Sequence, residues 1–178
     1  MNPGAVLRAA GIHEGMQVAD FGAGSGFFTR AAAREVDEGG AVWAVDINGD
    51  LLPRIKNFAA AEGLTNVEVV RGDVEIVGGS NLPSDSFDMV LATNLLFSLE
   101  HRGECVAEIR RVLKKSGRAL VVDWAGSFGG LGPHPSHVLT LEAGRTLLEA
   151  HGLSILGAVH AGAYHWGFVV RKKSAQAA

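Results

Sequence analysis

Short apolar runs alternate with amphipathic stretches along most of this 178-residue chain. The apolar runs predict strands that are buried on both faces, and they cover residues 16–21, 41–46, 67–71, 87–92 and 119–124. The amphipathic stretches predict helices over residues 3–10, 27–36, 50–62, 102–113 and 140–150. Because strands that alternate with helices usually pair in parallel, the pattern predicts a doubly wound sheet with helices on both faces.

The last two strand-like runs, residues 153–160 and 164–171, are joined by the short segment Ala161-Gly162-Ala163. This spacing is typical of a hairpin, so the two strands should be antiparallel. The predicted fold class is therefore α/β, with a doubly wound, mostly parallel, seven-stranded sheet that ends in an antiparallel hairpin. The chain shows neither an internal repeat nor a linker, which favours a single domain over residues 1–173 followed by a flexible tail at 174–178.

Two connections stand out from the others. Lys115-Ser116-Gly117 predicts a turn into the strand at 119–124. Residues 125–137 are rich in Gly and Pro, have no periodicity and are long enough to form an active-site loop.

Composition and charge exclude several classes of protein. A net charge of −3 gives no bulk attraction to nucleic acid, so we expect no nucleic-acid partner. Cys105 is the only cysteine, which rules out an intrachain disulfide and fits a reducing compartment. No apolar run approaches the roughly 18 residues of a membrane span, and no signal peptide is visible. We therefore expect a cytoplasmic protein without a membrane span, and the sequence singles out no metal site.

Polar residues lie at or just after the ends of the first four predicted strands, namely Asp20, Asp46, Asp73 and Asn94. Open α/β sheets bind their ligands at this edge. Asp46 lies 20 residues after Gly26, the usual spacing for a carboxylate that accepts hydrogen bonds from ribose hydroxyls, although it could instead cap the next helix. Asp73 could accept a hydrogen bond from an adenine amino group, or could simply form a turn after Gly72.

The glycines after the first strand distinguish between cofactors. Gly22, Gly24 and Gly26 follow G-x-G-x-G spacing, with Phe27 next, whereas dinucleotide-binding folds use G-x-G-x-x-G. Asp20 comes just before this bend, where a carboxylate would repel a pyrophosphate and would suit an ammonium or a sulfonium. The pattern favours S-adenosylmethionine over NAD.

At these motifs the chain resembles the class I S-adenosylmethionine-dependent methyltransferases, over nearly its whole length. The segments concerned are Val18-Ala-Asp-Phe-Gly-Ala-Gly-Ser-Gly26, Ala44-Val-Asp-Ile47, Gly72-Asp-Val74 and Phe87-Asp-Met-Val-Leu-Ala92. Glu108-Ile-Arg-Arg-Val-Leu-Lys-Lys-Ser-Gly117 is similar to a turn of the small-molecule branch, which includes the ubiquinone- and menaquinone-biosynthesis C-methyltransferases.

The resemblance implies a cofactor site for S-adenosylmethionine, with S-adenosylhomocysteine as its product. Asp20 and the glycine loop, with Phe27 beside it, would hold the methionine part. Ribose and one adenine face would contact Asp46 and Ile47. The remaining predicted cofactor contacts are Asp73 and Val74 at adenine, and Asn94 and Leu95 over the methionine carbon chain.

The expected reaction is transfer of a methyl group to a small-molecule acceptor by in-line displacement. A thiol, amine or metalloid acceptor needs no general base, whereas oxygen or carbon would need one. His134 and His137, on the Gly/Pro loop, are the candidate catalytic residues, and the alternative is that both are exposed loop histidines. Thr93-Asn-Leu-Leu-Phe97 lacks the Asn/Asp-Pro-Pro-aromatic signature, which argues against methylation of adenine bases.

Three alternatives remain open from the sequence. They are a nucleotide-dependent oxidoreductase, a non-catalytic binder of S-adenosylmethionine or S-adenosylhomocysteine, and an RNA or protein methyltransferase that needs a partner. The sequence begins about 15 residues before the first strand, so we expect a short lid. The acceptor site would then be open, or completed by another chain as in a homodimer.

Overall fold

A computed structural model describes residues 1–173 of the chain; the tail predicted for residues 174–178 lies outside the described residues. Seven strands form one sheet in the order β3-β2-β1-β4-β5-β7-β6. The strands are β1 (Gln17–Phe21), β2 (Ala41–Asp46), β3 (Val67–Arg71), β4 (Phe87–Thr93), β5 (Leu113–Trp124), β6 (Leu153–Ala158) and β7 (His165–Lys172). The α-helices of this part of the chain are α1 (Pro3–Ala9), α2 (Phe27–Val36), α3 (Leu52–Ala61), α4 (Arg102–Val112) and α5 (Leu141–Ala150).

The sheet confirms the predicted fold class. β1 lies in parallel between β2 and β4, and β4 also pairs in parallel with β5. β7 is antiparallel to both of its neighbours, β5 and β6. β2 and β3 follow one another on one side of β1, and the chain then crosses back to place β4 on the opposite side of β1. The direction of winding therefore reverses between β1 and β4. Ligands of open α/β sheets bind at such a switch point.

Two apolar layers cover the faces of the sheet. One contains Leu7 of α1, Phe28 of α2 and Ile55 of α3, packed on strand residues such as Val18. The other contains Ile109 of α4 and Leu148 of α5. Consecutive strand residues alternate between the two layers, as the pleat requires, and this buries every central strand on both sides.

The structure corrects the predicted turn before β5. β5 starts at Leu113, directly after α4, and continues through Lys115-Ser116-Gly117. Leu113 pairs with Phe87 and Arg118 with Met89, so four residues of β5 face one residue of β4 in an irregularity of the strand pair. Gly117 lies in it, where a Cβ would come within 2.8 Å of the Phe87 carbonyl oxygen. The turn-forming residues therefore mark a bulge inside the strand.

Candidate functional site

A cavity of about 370 Å³ opens at the carboxyl ends of the central strands, beside the switch point. Its volume is in the range of small-molecule sites. Twelve residues line it: Gly22, Val45, Asp46, Ile47, Gly72, Asp73, Val74, Glu75, Asn94, Leu95, Ser98 and Leu99.

The glycine loop after β1 has a backbone that only glycine adopts easily. Gly22, Gly24 and Gly26 have φ values of 65°, 55° and 72°. The backbone N–H of Gly22 donates to the Val45 carbonyl (2.9 Å), which ties the loop to the end of β2. A Cβ on Gly22 would lie 2.6 Å from Leu95 Cδ1, so glycine is also required there by the close approach of the cavity wall.

Asp46, the last residue of β2, is fixed by the backbone on both sides of its carboxylate. Oδ2 accepts from the Gly24 N–H and Oδ1 from the Asn48 N–H, each at 2.9 Å. Each oxygen keeps acceptor capacity for a ligand, because a carboxylate oxygen has two lone pairs. The alternative of a helix cap is not realised, since Leu51 is the N-cap of α3 and no side-chain hydrogen bond caps it.

Asp73 forms the turn after Gly72, and its contact with adenine stays a prediction. Its Oδ1 accepts from the Glu75 N–H (2.9 Å), and its own N–H donates to the Gly79 carbonyl (2.8 Å). It is therefore a turn-forming residue that also lines the cavity. Glu75, which the sequence did not indicate, lines the same wall and accepts from the His101 N–H (2.6 Å).

Asn94 and Leu95 also line the cavity. Asn94 has a left-handed backbone (φ 52°), and its N–H donates to the Val122 carbonyl (2.8 Å). A single 3-10 turn, Leu96–Ser98, follows. Asp123 at the end of β5 holds this turn by accepting from the Phe97 N–H (2.9 Å), and burial raises the pKa of Asp123 to about 6.

Asp20 lies under the glycine loop and is 1% exposed, and it is not among the cavity-lining residues. Its Oδ2 accepts from the Thr29 hydroxyl of α2 (2.6 Å). Burial raises the pKa of Asp20 to about 7, the Thr29 hydrogen bond opposes this shift, and the negative charge of Asp46 adds to it. The contact between Asp20 and the methionine part of a cofactor stays a prediction.

His134 and His137 are exposed on the loop after β5, and neither lines the cavity. His134 Nδ1 accepts from the Ser136 N–H (3.3 Å) and caps the short 3-10 turn Pro135–His137. The two imidazole centroids are 6.3 Å apart. These contacts agree with the loop-histidine alternative, and a catalytic role stays a prediction.

Seven of the predicted cofactor residues line the cavity: Gly22, Asp46, Ile47, Asp73, Val74, Asn94 and Leu95. Asp20, Gly24, Gly26 and Phe27 do not, and Phe27 is 55% exposed at the start of α2. The lining residues that were missed are Val45, Gly72, Glu75, Ser98 and Leu99. Val45 and Gly72 lie inside motifs that the sequence shows, whereas the other three depend on how two loops fold, for which the sequence carries no separate signal.

None of the helices within residues 1–173 is long and apolar enough to cross a membrane. Over the same residues, no group of three or more His, Cys, Asp or Glu side chains could hold a metal ion.

The fold and the site define a Rossmann-like α/β domain with an acidic, glycine-bordered cavity at its switch point. The sequence pattern of the family described as "Methyltransferase domain" matches residues 12–140. The chain belongs to this family, within the class I S-adenosylmethionine-dependent methyltransferases.

Curated relatives are similar to this chain over about half of their own length. The ubiquinone/menaquinone biosynthesis C-methyltransferase UbiE of Laribacter hongkongensis is 31% identical over 127 residues, which are 71% of this chain and 50% of the relative. The same enzyme of Bordetella avium is 32% identical over 119 residues, 67% of this chain and 45% of the relative. The chain spans about half the length of the curated relatives it matches.

Solved structures extend the similarity to almost the whole chain. A SAM-dependent methyltransferase from Aquifex aeolicus superimposes with a TM-score of 0.87 at 27% identity, covering 95% of this chain and 88% of that one. The [4+2]-cyclase SpnF superimposes with a TM-score of 0.80 at 17% identity, covering 97% of this chain and 80% of that one, and shows the fold alone.

Proposed function

We propose that this chain is an S-adenosylmethionine-dependent methyltransferase that acts on a small-molecule acceptor. The observation that carries the proposal is the pair Asp46 and Asp73, at neighbouring strand ends, whose carboxylates line one cavity beside the glycine bend at Gly22. Membership of the methyltransferase family supports the same cofactor.

The residues of the cavity fit the proposed cofactor by their chemistry. Asp46 would accept hydrogen bonds from the ribose hydroxyls, and Asp73 would accept one from the adenine amino group. Val74 and Leu99 supply apolar surface for a flat base. The missing Cβ at Gly22 lets Leu95 pack against the glycine loop at the border of the cavity.

The same chemistry disfavours a dinucleotide. Asp46, Asp73 and Glu75 all line the cavity, and three carboxylates repel a pyrophosphate. An oxidoreductase that uses NAD is therefore the weaker alternative.

When bound, the cofactor supplies a methyl group already activated by a sulfonium. The chain then has to orient the cofactor and the acceptor and to exclude water, so it needs no nucleophilic side chain for catalysis. Asp46 and Asp73 would orient the nucleoside, and Asn94 with Leu95 would border the methionine side. If the acceptor atom is carbon or oxygen, His134 or His137 is our candidate general base, because a neutral imidazole nitrogen can accept a proton.

The class of acceptor is proposed from the named relatives, which are C-methyltransferases of ubiquinone and menaquinone biosynthesis. A small organic acceptor with a reactive carbon is the first to test. The net charge of −3 and the single cysteine support a cytoplasmic enzyme without a nucleic-acid partner, and a homodimer stays a prediction. A cyclase with this fold also shows that fold does not fix the chemistry, so turnover must be measured.

Isothermal titration with S-adenosylhomocysteine and, separately, NAD tests the cofactor. We expect binding of the first and none of the second; the reverse result overturns the proposal. Turnover is then measured with quinone precursors, thiols, amines and metalloids. Binding without turnover on any of them would favour the non-catalytic binder, and turnover only after addition of RNA or a protein partner would favour the third alternative.

The two histidines are tested in the same assay. If one is the base, His134→Gln or His137→Gln lowers kcat for a carbon acceptor by about 100-fold or more, with cofactor affinity unchanged. Unchanged kcat in the double variant would leave both as loop residues.

A further inference from the structure

Glu108 of α4 is a fully buried carboxylate that lies outside the cavity. It accepts five hydrogen bonds. Two come from the Nε and Nη2 groups of Arg111, both at 2.7 Å, and three come from the loop between β3 and β4, namely the Gly78 N–H (2.7 Å), the Ser80 N–H (3.2 Å) and the Ser80 hydroxyl. A buried charge is tolerated only when it is satisfied in this way.

Arg111 extends the attachment along the same loop. Its guanidinium also donates to the Leu82 carbonyl (2.7 Å) and to the Ser84 hydroxyl (2.8 Å). Burial by itself would raise the pKa of Glu108, but the hydrogen bonds from Arg111, Gly78 and Ser80 outweigh it and hold that pKa below its ordinary value. Glu108 and Arg111 are therefore both ionised at neutral pH, and together they bind five polar groups of the loop between β3 and β4, which attaches this loop to α4.

The attached part of the loop leads directly to Asp73. The Gly79 carbonyl, between the two residues that bind Glu108, accepts from the Asp73 N–H (2.8 Å). The turn is also closely packed, because a Cβ on Gly79 would lie 2.4 Å from the Asp73 carbonyl oxygen and one on Gly72 would lie 2.7 Å from that of Ser80. Gly78 to Ser80 cannot shift without moving Asp73.

We infer that Glu108 is a positioning residue for recognition of the adenine base: through Gly78 to Ser80 it sets where Asp73 presents its carboxylate in the cavity. This inference rests on the proposed function, in which Asp73 accepts from the adenine amino group. The competing interpretation is that Glu108 stabilises the fold without affecting which base is bound.

The two interpretations differ in base discrimination. S-inosylhomocysteine carries an oxygen in place of the adenine amino group, so a carboxylate placed to accept from that amino group rejects it. Wild type should bind S-adenosylhomocysteine about 10- to 100-fold more tightly, the range expected for a hydrogen bond to a charged group. Asp73→Asn should remove most of this ratio. Glu108→Gln should lower it to within about threefold of the Asp73→Asn value, whereas a structural role would weaken both ligands equally.

Two further variants keep the test decisive. Ser80→Ala removes one loop donor and leaves the Arg111 pair intact, so it should lower the ratio by a smaller factor, and it decides the matter if Glu108→Gln does not fold. Val106→Ala truncates a buried side chain of the same helix that makes no hydrogen bond, and should lower the denaturation midpoint with the ratio unchanged.

Each outcome has one meaning. A wild-type ratio that persists in folded Glu108→Gln, or in Ser80→Ala where Glu108→Gln does not fold, overturns the positioning role and leaves the cofactor assignment standing. Equal binding of both ligands to wild type overturns the role of Asp73 and the inference together. No binding of either ligand overturns the proposed function itself.

Discussion

Replacing Asp20 by Asn should stabilise the protein, and by an amount that depends on pH. The carboxylate is buried under the glycine loop and accepts from the Thr29 hydroxyl (2.6 Å), a bond that an Asn side-chain oxygen can also accept. Burial raises the pKa of Asp20 from 3.8 to about 7. The shift is about three units, and at 1.36 kcal/mol for each unit it corresponds to about 4 kcal/mol as an upper limit.

The sign follows from proton linkage. Between pH 4 and 7 the folded protein holds a proton on Asp20 that the unfolded chain has released, so this group contributes stability that is complete below about pH 4 and is lost as the pH rises to 7. Asn does not ionise. The free energy of unfolding of Asp20→Asn relative to wild type should therefore rise by roughly 1 kcal/mol per pH unit between pH 5 and 7 and level off above.

Urea unfolding at pH 5, 6, 7 and 8 measures this difference. Asp88→Asn is a matched control whose effect on stability has the opposite sign. Burial would raise the pKa of Asp88, but hydrogen bonds from Lys114 and from the Gln17 N–H outweigh it and hold that pKa below its ordinary value. That variant should lose the same amount of stability relative to wild type at every pH from 5 to 8, because Asp88 is ionised in both the folded and the unfolded state over this range. A difference between Asp20→Asn and wild type that does not change with pH would refute the argument that Asp20 is buried and protonated.

Three other substitutions test the site and the core. Asp46→Ala should weaken binding of S-adenosylhomocysteine by about 1–3 kcal/mol in calorimetry, and unchanged affinity would remove Asp46 from the ribose. Gly24→Val and Gly63→Val both place a side chain at positive φ without a close protein neighbour, so each should lose about 1–2 kcal/mol in urea, but only the first should abolish binding. Gly144→Ala would bring a Cβ within 2.6 Å of the Trp166 ring, so we expect the free energy of unfolding to fall by about 1–3 kcal/mol. A urea midpoint that does not fall would show that the core relaxes around the added methyl group.

Most of the fold could be predicted because apolar runs with a distinct length mark each strand. The run at residues 41–46 became β2 with the same bounds, and the Ala161-Gly162-Ala163 connection separates two antiparallel strands as expected. The predicted start of β5 was wrong, because Lys115-Ser116-Gly117 consists of residues that favour turns but lies in a bulge within the strand. A turn signal shows only that the backbone departs from a regular strand.

The candidate site was predictable where the backbone alone decides position. Asp46 and Asp73 follow strands that end at one edge, so their meeting in one cavity follows from the topology. Whether Asp20 faces a ligand or the protein depends on the packing of Thr29 of α2 against it, which strand position does not reveal. Leu99 lines the cavity only because of the turn before it, and a loop conformation has no periodic signature.

β7, the last described strand, lies between β5 and β6, and β6 pairs with no other strand of residues 1–173. The growing chain therefore emerges from the ribosome with β6 unable to join the sheet and with one side of β5 bare until residues 165–172 have been made. Over that interval the bare backbone of β5 can pair with another nascent chain, a route to aggregation. Emergence of residues 165–172 closes both openings at once, so the pairing of β7 with β5 and β6 is the step that protects this sheet.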